Sequence, residues 1–359
     1  MFTQTELKAF TEEKLNLRLD EKDLHDLFDN IKKLKKTEYR FSNPFDFLKF
    51  EKKDFQKPIS IRLDSPDSQR VSLSSNTKTR DVFNQILTLN PQESRQSILN
   101  QDGAYEISDL HRLVIEPEKK IHLLLIPRHD TLGFSQLELT IKENAQVELL
   151  ILNDAKDTSH LNVIATIEKN AHLNLIHLNF NNQKTRTNIS TELTGTEAHI
   201  GLYTLNLNKS DEASDLRSVI HHLAPNTTSE QVNKSILHHT SKAIFSGKIH
   251  IHQKAQEVSS SQLSKSLLLS TKAQSISEPQ LEIFADNVKC SHGSTTGQLS
   301  TDEIFYFRSR GINEARAKAL LTLGFALEII QKIDHSEMRE KVSDYAKDYL
   351  EKFFMGKDL

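Results

Sequence analysis

Thr140-Ile141-Lys142-Glu143-Asn144-Ala145-Gln146-Val147-Glu148-Leu149 returns 26 residues later as Thr166-Ile167-Glu168-Lys169-Asn170-Ala171-His172-Leu173-Asn174-Leu175. A third copy, Glu192-Leu193-Thr194-Gly195-Thr196-Glu197-Ala198-His199-Ile200, carries one inserted residue. Each copy reads as strand, tight turn, strand. One such unit cannot bury its apolar face alone, whereas stacked copies can. A repeat of this length with no helix inside it predicts a parallel β-solenoid; a β-sandwich with coincidental similarity is the alternative. Lys254-Ala255-Gln256 and Lys272-Ala273-Gln274 read as further copies of the turn, beside strand-like runs at Lys248–His252 and Leu267–Ser270.

The strand texture extends both ways from the repeat. It begins near residue 112, where Leu113 and Ile115 alternate with other residues, turns at Glu116-Pro117-Glu118 and resumes at Ile121–Ile126. It ends near residue 290. Asp154–Ser159, Asn181–Arg186 and Lys209–Asp215 read as polar loops off the rungs. The first 55 or so residues read as helical, with Leu24, Leu27, Ile31 and Leu34 on one face. Lys32–Lys36 then reads as a solvated helix end. Asp64–Ser68 reads as a turn, and Asp81–Leu89 as a short helix. Beyond residue 300, Ser300 with Glu303 forms a capping box and Gly311 is a stop. Asn313 caps a second helix through Ile333, with Ala319, Leu323, Ala326 and Ile330 in one stripe. Asp334 with Glu337 caps a third, marked by Tyr345, Tyr349 and Phe353. The expected organisation is a helical or mixed region at 1–106, a β-helix at 107–299 and a helical unit at 300–359.

Composition narrows the function. The 359 residues carry a net charge of −3, so there is no basic field for nucleic acid. Mean hydropathy is −0.51, and no apolar run approaches the roughly 20 residues of a membrane span. Residues 1–8 show no basic and apolar pattern of a signal peptide, so the cytoplasm is the expected compartment. With 10 glycines and neither G-x-x-x-x-G-K-[S/T] nor G-x-G-x-x-G, ATP hydrolysis by this chain is not expected. No G-x-S-x-G elbow supports a hydrolase.

The single cysteine excludes an internal disulfide and an all-cysteine metal site within one chain. It lies in Asp286-Asn287-Val288-Lys289-Cys290-Ser291-His292-Gly293. On a strand, Cys290 and His292 share a face, and a nearby His⁺ or Lys289 would favour the thiolate. Two ligands cannot complete a tetrahedral metal or Fe–S site, so other donors must come from a second chain or a small molecule. The alternative is a buried, inert cysteine. Among the 16 histidines, His250 and His252 would share a strand face. The adjacent pairs His221-His222 and His238-His239 would point to opposite faces if extended. All six read as solvent-facing or satisfied rung residues rather than metal ligands.

Ile283-Phe284-Ala285-Asp286-Asn287-Val288-Lys289-Cys290-Ser291-His292-Gly293-Ser294-Thr295-Thr296-Gly297-Gln298-Leu299 closely resembles a signature of the SufB/SufD family of iron–sulfur cluster assembly proteins. The likeness continues through Phe305-Tyr306-Phe307-Arg308-Ser309-Arg310-Gly311-Ile312. Phe245-Ser246-Gly247-Lys248-Ile249, Gln262 and Leu267–Ser270 are also similar to the family. Lys36-Thr37-Glu38-Tyr39-Arg40-Phe41 resembles its Glu-Trp-Arg-Tyr element, with Tyr39 where the family has Trp. The SufB branch carries Glu-His-Glu at the Cys-Ser-His-Gly position, so the resemblance is to the other branch.

That resemblance implies a right-handed parallel β-helix between helical ends. It implies a non-catalytic scaffold pairing with SufB through the β-helix and with the SufC ATPase through its C-terminal helices, homodimeric when alone. The nascent iron–sulfur cluster would be shared with SufB. His292 is the implied cluster-site residue and metal contact, with Cys290 beside it. Phe305, Tyr306, Arg308 and Arg310 are the implied SufC-binding residues, although the two rings could instead pack a helical cap onto the last rung. A free-standing thiol or metal enzyme using Cys290 and His292, and an inert homodimeric β-helix, are the rival functions.

Overall fold

The computed structural model describes residues 87–88, 97–99, 103–107, 111–125, 134–153, 159–180 and 184–355. The readings of residues 1–55, Asp64–Ser68 and Lys36–Phe41 lie outside them, as does most of Asp81–Leu89. The described part of that last segment, Leu87–Thr88, is strand, not helix.

The described strands form two parallel sheets that share the windings of one solenoid. The nine-stranded sheet stacks β1 (Leu87–Thr88), β3 (Gly103–Ile107), β5 (Lys120–Leu125), β7 (Gln146–Asn153), β9 (His172–Phe180), β11 (His199–Asn208), β13 (Thr228–Leu237), β15 (Val258–Leu268) and β17 (Val288–Gly297), in that order. The eight-stranded sheet stacks β2 (Ser97–Leu99), β4 (His111–Ile115), β6 (Phe134–Ile141), β8 (Ser159–Ile167), β10 (Lys184–Leu193), β12 (Ala213–His222), β14 (Lys242–Ile251) and β16 (Gln274–Ile283). The expected boundary at 107 falls inside the stack, because β1, β2 and β3 already pair there.

The sequence repeat is the structural rung. Thr140 pairs with Thr166 and Val147 with Leu173, both at the offset of 26. The inserted residue of the third copy is absorbed in its turn, so Leu193 pairs with Ile167 at 26 and His199 with His172 at 27. Asn144 and Asn170 adopt positive φ at the corner, a conformation Asn tolerates better than most residues. The alanine after each, Ala145 and Ala171, is fully buried, as is Ala198 of the third copy. Gly195 is needed for a close approach: a Cβ there would lie 2.0 Å from the Lys169 backbone nitrogen. Across copies, Lys142 meets Glu168 at 2.7 Å and Lys169 meets Glu143 at 3.0 Å. Lys254-Ala255-Gln256 and Lys272-Ala273-Gln274 are not equivalent turns. The first joins β14 to β15 and the second joins β15 to β16, at the opposite corner. The expected loops are shorter than read, since Ser159, Lys184–Arg186 and Ala213–Asp215 belong to strands.

Strand alternation sends Val147, Leu149, Leu173, Leu175, Val163 and Ile167 into the solenoid interior. The outer face of the nine-stranded sheet is apolar too, through Leu150, Ile176, Leu178, Phe180 and Leu205. It is covered by helices α2 (Glu314–Ile330) and α3 (Ser336–Met355). Ala326, Ile329, Ile330, Val342 and Tyr349 complete that core, with the Phe180 ring 5.6 Å from those of both Tyr345 and Tyr349. Helix α1 (Thr301–Ser309) precedes them, capped by the Ser300 hydroxyl, which accepts the Glu303 N–H. Gly311 follows at φ +81° as the stop, and the Asn313 side chain caps α2.

The start of α3 departs from the expectation. His335, not Asp334, is the capping residue; its Nδ1 accepts the Met338 N–H at 3.3 Å. The buried Glu148 carboxylate on β7 accepts the Asp334 and His335 N–H groups and meets His122 Nδ1 at 3.1 Å. A carboxylate at a helix N-terminus satisfies donors that have no partner within the helix. Glu148→Ala is expected to lower stability by about 2 kcal/mol, read from the urea midpoint.

Burial pushes the imidazoles of His160, His177 and His222 down to about 4. The unfolded chain therefore binds more protons between about pH 4 and 6.5, and stability falls as the pH drops through that window. Glu212, raised by burial to about 7, acts in the opposite direction, and three histidines outweigh it. Neither ring nitrogen of His177 has a hydrogen-bond partner among the described residues. His177→Leu is expected to be more stable than wild type at pH 5, with a flatter pH profile of thermal unfolding.

Candidate functional site

Parallel register arranges side chains in columns that run the length of the solenoid. On the inner face of the nine-stranded sheet these columns change chemistry toward the C-terminal end. One runs Val147, Leu173, Ile200, Ser229, Ser260, Cys290. The next runs Leu149, Leu175, Leu202, Gln231, Gln262, His292. Both columns are aliphatic through the first three positions and polar thereafter, apart from the thiol that ends the first.

The polar part is hydrogen-bonded across rungs. The buried His222 contacts Thr227 Oγ1 at 2.8 Å and Ser229 Oγ at 2.9 Å, and Ser229 meets Ser260 at 2.6 Å. Gln231 donates to Ser218 at 2.6 Å, and Gln262 donates to Gln231 at 2.8 Å. Gly247 makes room for this pair, since a Cβ there would sit 2.4 Å from Gln262 Nε2. The Gln262 side-chain oxygen is buried and has no partner among the described residues; its register neighbour on the next rung is His292.

Cys290 and His292 lie on β17, the last described strand of its sheet, so one backbone edge is unpaired among the described residues. They share a face, as their spacing requires. Cys290 is half-buried against the cluster of Ile249, Ile251 and Val258, and His292 is exposed. Burial pushes the Cys290 thiol up, against a smaller opposing influence from the Ser260 backbone N–H. The expected cation-favoured thiolate is therefore not what the site provides; Lys289, one residue away, alternates to the other face and is exposed.

Phe305, Tyr306, Arg308 and Arg310 lie apart from this pair, on and just after α1. That helix buries no residue, and the Phe305 and Tyr306 rings are 71% and 58% exposed. The alternative in which these rings pack a cap onto the last rung is not what forms. The Arg310 guanidinium lies 5.4 Å from the Tyr306 ring, and Arg308 approaches Glu314 at 3.7 Å.

The histidine pairs divide. His222 faces inward and His221 outward, on opposite faces as expected. His238 and His239 do not oppose each other; they follow β13 in a turn, with Nδ1 atoms 3.0 Å apart and His239 at φ +54°. The sequence marked Gln262 only as similar to the family and gave no role to Ser260 or Gln231. The signal for those two was polar residues at inward strand parity, visible only once the register is known.

Residues 99–325 match the SUF system FeS cluster assembly, SufBD core domain family. The chain belongs to this family. Over 157 residues it is 34% identical to the Escherichia coli iron–sulfur cluster assembly protein SufD, covering 44% of this chain and 37% of that protein. A SufBD family iron–sulfur cluster assembly protein of Synechocystis sp. is 42% identical over 131 residues, 36% of this chain and 29% of the relative. The chloroplastic protein ABCI7 of Arabidopsis thaliana is 34% identical over 166 residues, 46% of this chain and 35% of the relative. The matched stretch thus spans about a third of these relatives. The inward columns ending at Cys290 and His292 are the candidate site in this chain. No described helix is long and apolar enough to cross a membrane.

A thiol raised by burial reacts slowly at neutral pH. Alkylation of Cys290 by iodoacetamide, followed by mass spectrometry, is expected to be slower at pH 7 than that of a free cysteine and still accelerating above pH 9. A plateau below pH 8 would contradict this.

Proposed function

We propose that this chain is a non-catalytic scaffold subunit of a SufBCD-type complex, holding part of the site where a nascent iron–sulfur cluster is assembled. The observation that carries the reading is the pair of columns that turn polar and end in a thiol and an imidazole, on a strand whose outer edge is unpaired among the described residues. Two donors are too few for a cluster, and the free edge is where a second chain can add its own strand and ligands. A SufB-type β-helix is the partner of matching geometry, continuing the stack across β17 and β16.

In this reading Cys290 and His292 offer sulfur and nitrogen donors to the cluster, which is cargo rather than a resident cofactor. A thiol protonated at rest gives up its proton when metal binds, so loading releases protons. The Ser260 N–H stabilises the thiolate thus formed. Gln262, held by Gln231, supports His292 from the rung beneath. Helix α1, with Phe305, Tyr306, Arg308 and Arg310 outward, is the surface offered to a SufC-type ATPase. Exposed aromatic and arginine side chains are the types that dominate binding energy at protein interfaces.

Tagged wild-type chain and His292→Ala are co-expressed with the SufB and SufC of the same source, then reconstituted anaerobically. The wild type is expected to retain both partners and develop cluster absorbance; His292→Ala is expected to retain the partners and lose most of the absorbance. Phe305→Ala with Tyr306→Ala is expected to release SufC while keeping SufB. Retention of the full cluster by His292→Ala together with Cys290→Ala would instead favour an inert β-helix. Turnover of a thiol substrate by the isolated chain would favour an enzyme.

A further inference from the structure

The outer face of the eight-stranded sheet carries a group of side chains that the assembly reading does not use. His221 on β12 and His250 on β14 are register neighbours, and their ring centroids lie 5.2 Å apart. His252, just past the end of β14, stacks on His250 at 4.4 Å and lies 5.9 Å from His221. The His252 backbone N–H donates to the His222 carbonyl at 3.0 Å, which fixes the chain there. One ring nitrogen from each of the three histidines lies within 4.8 Å of the other two. All three residues are half-buried.

The surroundings suit a cation. Glu282 is the register neighbour of His250 on β16, and its carboxylate lies 3.5 Å from His250 Nδ1. Its other oxygen meets Lys248 at 2.6 Å. Glu192 is the register neighbour of His221 on β10. Phe284 covers one side, its ring 5.3 Å from that of His250. Three imidazole nitrogens beside a carboxylate are a donor set that suits zinc and its first-row neighbours. A tetrahedral ion with bonds of about 2.05 Å needs donor atoms about 3.3 Å apart. The His250 and His252 rings stack with only 15° between their planes, so binding one ion requires them to leave that stack and turn their nitrogens toward a common point.

We propose that His221, His250 and His252 form a binding site for a first-row divalent transition-metal ion, with Zn²⁺ as the probe ion and Glu282 or water at the remaining positions. The site is separate from Cys290 and His292 and does not depend on the assembly reading. An ion there ties β12 to β14, adjacent rungs near the open end of the solenoid, and so stabilises that end.

The test is a titration of the full chain with ZnCl₂ by calorimetry, in parallel with thermal unfolding. One ion per chain and a rise in Tm with added Zn²⁺ are expected. His252→Asn is expected to weaken binding at least about tenfold, and the triple variant His221→Asn, His250→Asn, His252→Asn to abolish both effects. Far-UV circular dichroism establishes that the variants are folded. X-ray absorption at the zinc edge of the wild-type complex needs no variant, and three imidazole nitrogens at about 2.0 Å are expected. Equal binding by the wild type and the folded triple variant would overturn the proposal. So would a sulfur ligand in the absorption spectrum, or loss of binding in Cys290→Ser with the three histidines intact.

Discussion

Each rung of this solenoid hydrogen-bonds to the next in parallel register, and every other feature inherits that constraint. Register fixes which residues stack, and strand alternation fixes which columns face inward. A rung such as β6 and β7 has no core of its own, because Leu137, Leu139, Val147 and Leu149 find apolar partners only on the rungs beside them. The corners obey the same rule. Asn144 and Asn170 turn the chain at positive φ, and the buried alanines that follow let successive corners stack closely.

An ideal stack has no natural end, and the two ends of an open sheet expose unpaired backbone. The C-terminal helices could have covered the β17 end. They turn away instead, because the outer face of the nine-stranded sheet is apolar and draws α2 and α3 onto it. Glu148 and Asn174 fasten the turn between them, Asn174 donating to the Lys332 carbonyl at 2.8 Å. The buried Lys234 makes a second fastening, its ammonium bonded to the Phe325 carbonyl and the Glu328 carboxylate and lying 4.1 Å from the Phe325 ring. Among the described residues the edges of β16 and β17 therefore stay unpaired beside Cys290 and His292, and the Phe305 and Tyr306 rings of α1 are exposed.

Two inward columns of the nine-stranded sheet change character along the solenoid. Near the open end, Ser229 bonds Ser260 and Gln262 bonds Gln231 across rungs, which leaves the Gln262 side-chain oxygen as a buried polar atom without a partner among the described residues. A polar interior costs little where its groups are paired. It places hydrogen-bonding groups on the rung next to Cys290 and His292.

The sequence by itself determined the solenoid, because the offset of 26 between Thr140 and Thr166 is the rung offset, and one-to-one pairing copies sequence spacing into space. It determined the helices Thr301–Ser309 and Glu314–Ile330 through their caps at Ser300 and Asn313, which are local hydrogen bonds. It placed Cys290 and His292 on one face, since alternation needs only two residues of strand. The tertiary structure alone decided what lies beneath them. Ser260 and Gln262 are 30 residues away in sequence and meet the pair only through the β15–β17 register. It also decided the cap of α3, where Glu148 reaches Asp334 and His335 from 186 and 187 residues upstream. The outward cluster of His221, His250 and His252 likewise arises from pairing β12 with β14. Local chemistry can be read along a chain, but contacts made across stacked rungs depend on a register that the loops and insertions between them set.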